Sequence, residues 1–389
     1  MNKAWESKVL EWVNKHDYKG YDPYDLLSAN KYTRSLMYPF KTLRIDKKIL
    51  FLLLTKLNDW FPLIVRKLFF IKKKIHPTYL GMLLHSQALL PDKLYNENKV
   101  QEIKEELKKH RIQDYNNACW GTPFAWRSGD VFYPVGTPFA VVCAWIGEAY
   151  LELYKRNRNQ EDLDVCISIC DFFIEDLHIT KHSEDSICFS YSPRKESDIN
   201  NSNLMVASFL MKIGALINND IYKSLSEKAT NFTLNTQLPN GLIPYFGNKT
   251  CDHNDSYHSS YELKSLFDIL EHYPRSNWEL AFEKYLSYYL DNYIQKDYSI
   301  SKYPNKAFPV DGTSMADALI LFFKIQDKYN GYEISKHIEG VEEIINQEWL
   351  KSNGGIKYKK LNNYIFSSIT YTRWIMGWFA IASAYKLRK

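Results

Sequence analysis

No stretch of this 389-residue chain is apolar for long enough to be read as a membrane span. The nearest, ILFLLLTKLNDWFPLIVRKLFFIKKK over residues 49–74, is interrupted by Lys56, Asn58, Asp59, Pro62, Arg66 and Lys67. Residues 47–74 suit an outer-wall helix or, through the closing Lys72, Lys73 and Lys74, a segment resting on an anionic membrane surface. Cysteine is scarce: six residues with no CxxC pair and no regular framework. The start MNKAWESKVLEW has no secretory apolar core, so a reducing, cytoplasmic setting is expected. Cys166 and Cys170, one helical turn apart, read as small buried hydrophobes rather than a metal pair. No HExxH or other defined ligand spacing occurs, so neither metal nor cofactor is expected. Charge of one sign is lacking too: the formal net charge is +5, with Lys and Arg interspersed among 45 acids. That is no nucleic-acid footprint, although it permits an acidic ligand.

Aromatic residues are plentiful, at 15% of the chain, with 29 Tyr and 10 Trp. This is more tyrosine than a core requires, so part of it should line a groove. The stretch Cys119–Tyr154, CWGTPFAWRSGDVFYPVGTPFAVVCAWIGEAYLELY, runs from an aromatic, polar loop into an apolar helix. In the loop, Trp120, Trp126, Arg127 and Tyr133 can stack on a ligand's flat faces and hydrogen-bond its edges. In the helix, started by Thr137-Pro138, nearly every face is apolar, which predicts an inner helix with others around it.

From residue 77 the chain is periodic. Cap and breaker signals place helix starts near Pro77, Pro138, Asn203, Ser256, Thr313 and Thr370, at intervals of about 61, 65, 53, 57 and 57 residues. One further helix falls in each interval, near 97–112, 161–177, 220–237, 276–294 and 333–351. Joins within a unit are short. Those between units are long and share a recipe: an aromatic, then polar residues, then a capping Asn, Asp, Ser or Thr. The first helix of each unit is the more apolar, so the units should form inner and outer rings. The expected fold is an all-α (α/α)6 toroid over 47–389, with 47–70 as the sixth outer helix. Residues 1–46 should form an N-terminal helical extension, with helices at 3–16 and 31–44. Such a winding collects the long connectors and inner-helix N-termini on one face, the natural place for a ligand.

The candidate chemistry lies in those connectors. CDHNDSYHSSYEL (251–263) sets Asp252, His253, Asp255 and His258 at a helix entrance, where a histidine can move a proton and an aspartate can orient it. Asp255 is equally suited to cap the helix. Asp130 and Asp311 precede other inner helices and could supply the paired carboxylates of glycoside hydrolysis, though Asp311 also reads as a cap. Tyr133, Tyr191, Tyr257 and Tyr371 are candidate phenolic acids or bases beside a uronic acid carboxylate, or stacking groups. Arg373, on an apolar helix, needs either a protein acid or an anionic ligand. Asn200, Asn201 and Asn203 suit sugar hydroxyls or a helix cap. Tyr245 belongs to a turn and can add to the binding surface. Asp22 and Asp25 read as a carboxylate pair or as a turn with a solvated acid.

The motifs YKGYDPYD, CWGTPFAW with PVGTPFAVVCAWIGEAYLELY, FSYSP with NNSNLMVASFL, QLPNGLIPYF with DSYHSSYEL, PVDGTSMADAL and TYTRWIMGWFAIASAY recur in order over nearly the whole chain. Together they resemble a group of bacterial proteins of surface-polysaccharide biosynthesis, relatives of the six-hairpin glycosidases with an α/α toroid fold. The resemblance implies a glycan-modifying enzyme of hydrolase, lyase or epimerase type, or a glycan-binding assembly protein. An oligo- or polysaccharide or an activated sugar precursor would be its ligand, and glycosyltransferases its partners. Terpenoid cyclases share the fold, but the chain has no DxDD-like motif.

Overall fold

The computed structural model describes residues 4–38, 42–128, 131–194, 197–247 and 253–388. Six helices form an inner ring: α4 (Pro77–Leu89), α6 (Ala140–Asn157), α8 (Asn200–Leu216), α10 (Ser256–His272), α12 (Gly312–Ile325) and α14 (Gly377–Arg388). Each packs on the next, and α14 packs on α4, so the ring closes. Their sequences explain the placement. Nearly every residue of α8 and α12 is buried, as expected of helices apolar all round.

The outer ring is made of α5 (Glu97–Lys109), α7 (Gln160–Glu175), α9 (Asp220–Leu234), α11 (Ser276–Tyr293) and α13 (Ile334–Ile344), each with one buried stripe. The sixth outer position is taken by α1 (Trp5–Lys15), which packs on α14. This corrects the expectation that 47–70 would fill it. In α1 the stripe Trp5, Val9, Trp12 and Val13 is wholly buried, whereas α2 (Ile45–Trp60) buries only Leu54. α2 and α3 (Pro62–Leu68), separated at Phe61, lie instead against one another, the short 3-10 turn Arg34–Met37 and the strand Phe366–Ser367. Within the expected 31–44 the described residues form that turn and no α-helix. The fold is the (α/α)6 toroid.

The connectors before the inner helices meet on one rim and are stitched together by a repeated bond. The first N–H groups of a helix have no acceptor within it. Here Ala140 N donates to Tyr191 O (3.0 Å), Asn200 N to Tyr245 O (3.1 Å), Ser256 N to Lys302 O (3.0 Å) and Gly312 N to Tyr358 O (2.9 Å). In each case the acceptor belongs to the connector of the following unit. Arg373 closes the circle by a bidentate bond to buried Asp22 (2.6 and 2.9 Å). Arg66, fully buried on α3, bonds Asp25 (3.0 Å) and Tyr371 Oη (2.8 Å). Asp22 and Asp25 are therefore neither a solvated turn nor a free carboxylate pair.

Along the ring axis Trp145, Tyr261 and Trp378 pack on one another at 5.3–5.6 Å between centroids. Trp145 and Tyr261 line cavities on both sides of this layer. Towards the inner-helix C-termini, Lys212 bridges Glu148 (2.8 Å) and Asp268 (2.5 Å), and Lys324 shares Asp268 (2.5 Å). Cys166 and Cys170 are fully buried between helices, and burial pushes both thiols well above their ordinary pKa.

Two outcomes follow. Arg66→Met leaves the Asp25 carboxylate buried without its cation and should cost about 3–5 kcal/mol in urea unfolding. Adding Asp25→Asn should recover part of the loss; no recovery would count against the pairing. His85 is pushed down to about 4 by burial, against 6.5 for a free imidazole. The unfolded chain takes up that proton as pH falls through 6.5 and the folded chain does not until about 4. Stability on the order of 3 kcal/mol should be lost across this window. A urea series at several pH values should show a flatter pH slope for His85→Gln.

Candidate active site at the inner-helix N-termini

A cavity opens among the connectors, lined by His76 and Thr78 at the start of α4, Trp126, Tyr191, Asn201, Tyr245, the start of α10, and Arg373 with Trp374. Its walls come from the ends of several helices, so each group is held by a helix start. Arg373 and Trp374 lie in a single π-helical turn, Thr372–Met376, ahead of α14. Such turns often mark functional positions.

At α10, Asp255 serves two purposes with one oxygen. It caps the helix by accepting from His258 N at 3.0 Å, and lies 2.9 Å from His258 Nδ1. The cap and the histidine-orienting role, open alternatives in the sequence, are both occupied. Burial would raise the Asp255 pKa, but His258 and then Lys302 outweigh it and hold the carboxyl below its usual range. A carboxylate at Nδ1 puts the neutral ring's proton there and leaves Nε2 as the basic nitrogen.

His76 is arranged the other way. It caps α4, and its Nδ1 accepts from Thr78 N at 3.2 Å, which places the proton on Nε2. That Nε2 is buried with no partner among the described residues. Burial first, then Arg373, holds the ring well below the ordinary imidazole pKa, so it stays neutral. One cavity thus carries an imidazole offering a lone pair and another offering a proton. The sequence signal for His76 is a histidine ahead of proline at a helix start.

Tyr24 reaches in from the N-terminal segment, stacking on Trp126 (5.6 Å) and meeting Trp374 edge-on (5.6 Å). Tyr133 lies behind, stacked on Trp126 at 5.0 Å. Tyr245 and Tyr257 line the cavity with their phenols pushed well above the usual pKa by burial, so they act as donors rather than bases.

Other candidates lie elsewhere. Trp120 is buried in the core and donates its indole N–H to Leu107 O at 2.8 Å, so it is no stacking platform. Arg127 lies over the Tyr38 ring at 4.2 Å, outside the cavity. His253 is exposed, accepting from Tyr245 N through its carbonyl. Asp311 is wholly buried as the cap of α12, bonded to Thr313 N (2.9 Å), and is not part of the cavity wall. Tyr371 is buried against Arg66. Asn200 and Asn203 tie the connector to α9 and its following turn through Thr236, Pro244 O, Ala229 O and Thr233. Asp130 and Asp252 lie outside the described residues.

Five buried polar groups on the cavity wall have no partner among the described residues: His76 Nε2, Thr78 Oγ1, Trp126 Nε1, Asn201 Oδ1 and Trp374 Nε1. Unpaired buried groups are costly and normally few. Gathered on one wall, three N–H donors, a hydroxyl and an amide oxygen complement a ligand rich in groups that both donate and accept.

Neither protein-family models nor curated proteins match this chain. Solved structures do. A cellobiose 2-epimerase from Bacillus thermoamylovorans superposes with a TM-score of 0.64 over 80% of this chain and 87% of its own, at 12% identity. A GH76 α-mannanase from Bacteroides thetaiotaomicron gives 0.60 over 80% and 86%, at 10% identity. An unsaturated glucuronyl hydrolase specific for heparin gives 0.61 over 99% and 95%, at 8% identity. The likeness is one of fold.

The tautomers can be read directly. In ¹⁵N-labelled protein at about pH 6, His76 should show the pattern of a neutral ring protonated on Nε2, since its pKa lies well below 6.5. A doubly protonated ring there would refute the assignment.

Proposed function

We propose that this chain is a glycan-modifying enzyme that moves a proton at a carbon of its saccharide, in the manner of an epimerase or lyase. The observation that carries the reading is the cavity wall itself: His258, oriented by Asp255, as base, neutral His76 as a hydrogen-bond donor to negative charge developing on a neighbouring oxygen, and unpaired polar groups suited to hydroxyls. Hydrolysis is less well supported. It calls for two carboxylates flanking the bond, and no acid is among the described residues lining this cavity. An acidic sugar has lost its assigned clamp as well, because Arg373 is committed to Asp22. The aromatic rings of Trp126, Tyr191 and Trp374 provide flat surfaces for sugar faces. The motif resemblance supplies the setting: surface-polysaccharide synthesis, with an oligosaccharide or activated sugar precursor as substrate and glycosyltransferases as partners.

Incubation with a panel of neutral and acidic saccharides in D₂O tests the reaction type. An epimerase should place deuterium at one carbon-bound position of the substrate or product and a lyase should release an unsaturated sugar with a new C=C signal, both read by NMR, and His258→Gln or His76→Gln should slow either by about 10²–10⁴-fold with the fold intact. Incorporation of ¹⁸O from labelled water without deuterium would mean hydrolysis. Tight saccharide binding with neither label and no unsaturated product would mean a binding protein.

A further inference from the structure

The outer faces of α2 and α3 are apolar and uncovered. Eleven of the twenty-two large apolar side chains exposed among the described residues fall between 45 and 70. They include Trp60, Phe61, Leu63, Ile64, Leu68 and Phe70, the last 89% exposed. A soluble surface rarely concentrates apolar groups this way unless something covers them. The backbone adds a second sign. Phe70 N donates to Lys67 O and Ile71 N to Arg66 O, with Phe70 at a φ of 51°, the left-handed residue that ends α3. Glycine or asparagine is the usual occupant of such a position. The phenylalanine held there is turned to solvent rather than into the core of the described residues.

The charge around this face identifies the partner. Lys47, Lys56, Lys67, Lys72, Lys73 and Lys74 are exposed in and beside it. The acids of the stretch are engaged, Asp46 with Arg44 and Asp59 with Lys359. An apolar band bordered by lysines matches the interface of an anionic bilayer, where rings enter the acyl boundary and ammonium groups meet headgroup phosphates. No helix of the described residues is long and apolar enough to cross a membrane. The face can therefore lie on a bilayer but not span it.

We propose that α2 and α3 form a docking surface for an anionic lipid bilayer. The surface is joined to the cavity rim. α3 leads through Lys74–Ile75, paired with Lys19–Gly20, directly into His76. Its Arg66 holds Asp25 and Tyr371, next to the Arg373–Asp22 pair. The docked face thus sits beside the mouth rather than at the far rim.

The test is flotation of the full chain with vesicles of phosphatidylglycerol and phosphatidylethanolamine, against vesicles of phosphatidylcholine alone. Binding to the anionic vesicles should be at least about tenfold tighter and should weaken as salt is raised. Phe70→Gly with Leu63→Ser and Ile64→Ser should abolish flotation. Phe70→Gly alone should weaken it while leaving the melting temperature unchanged or higher, which a merely structural residue would not do. Lys72, Lys73 and Lys74 changed together to Gln should remove the anionic preference. Absence of binding to anionic vesicles overturns the proposal. So does a dimer in sedimentation velocity that the Leu63 and Ile64 changes dissociate, because a second copy would then cover the face. No saccharide is involved, so the result stands apart from the reading of the reaction.

Discussion

The first backbone N–H groups of a helix have no acceptor inside it, and in this toroid that constraint organises the rim. Ala140, Asn200, Ser256 and Gly312 each find their acceptor in the connector of the next unit. A buried N–H left unmade would cost on the order of 1–3 kcal/mol, so each connector is held where its neighbour's helix begins. Two of the acceptors are the carbonyls of Tyr191 and Tyr245, and the rings of the same residues line the cavity. The bond that satisfies the helix thereby fixes an aromatic wall. Irregular connectors become as fixed as the helices that they join.

The Arg373–Asp22 pair completes what the stitch leaves open. The sequence is linear and the ring has to be closed by groups 351 positions apart. Burying two ions costs several kcal/mol before their attraction is counted, and a well-aligned bidentate bond is what makes such a pair tolerable. Arg66 and Asp25 repeat the device one layer out. These pairs draw the N-terminal segment over the mouth, which is how Tyr24 comes to stack on Trp126.

What could be read from the sequence was what is local. Cap and breaker signals near Pro77, Pro138, Asn203, Ser256, Thr313 and Thr370 fall within three residues of where the inner helices begin, at α14 counting its leading π turn. The stripe of each outer helix likewise needs only its own residues. The sixth outer helix did not, because whether 5–15 or 47–70 meets α14 depends on where the chain returns. The long apolar run of α2 and α3 invited burial, and the structure turns it outward. Trp120 and Trp126 show the same limit at short range. They share one loop and one composition, yet the first donates into the core and the second lines the cavity. The bond from Trp120 to Leu107, thirteen residues back, holds the first ring in the core. Asp311 and Asp255 occupy equivalent capping positions, but only Asp255 has a histidine in the first turn above it.

That difference connects the rim to the chemistry. An imidazole in a cavity becomes a base or a donor according to which nitrogen is already engaged. In His258 the engagement is with the carboxylate that caps α10, and in His76 with the N–H that opens α4. Both are helix-start bonds, of the kind that holds the connectors. The unsatisfied N–H groups that shape the rim therefore also determine where each proton resides, giving opposite tautomers without any dedicated machinery. Below them, the layer of Trp145, Tyr261 and Trp378 separates this cavity from the ion pairs of Lys212, Asp268 and Lys324. A ligand that meets the two histidines must come in past the connectors, where the indole N–H groups of Trp126 and Trp374 and the amide oxygen of Asn201 have no partner among the described residues.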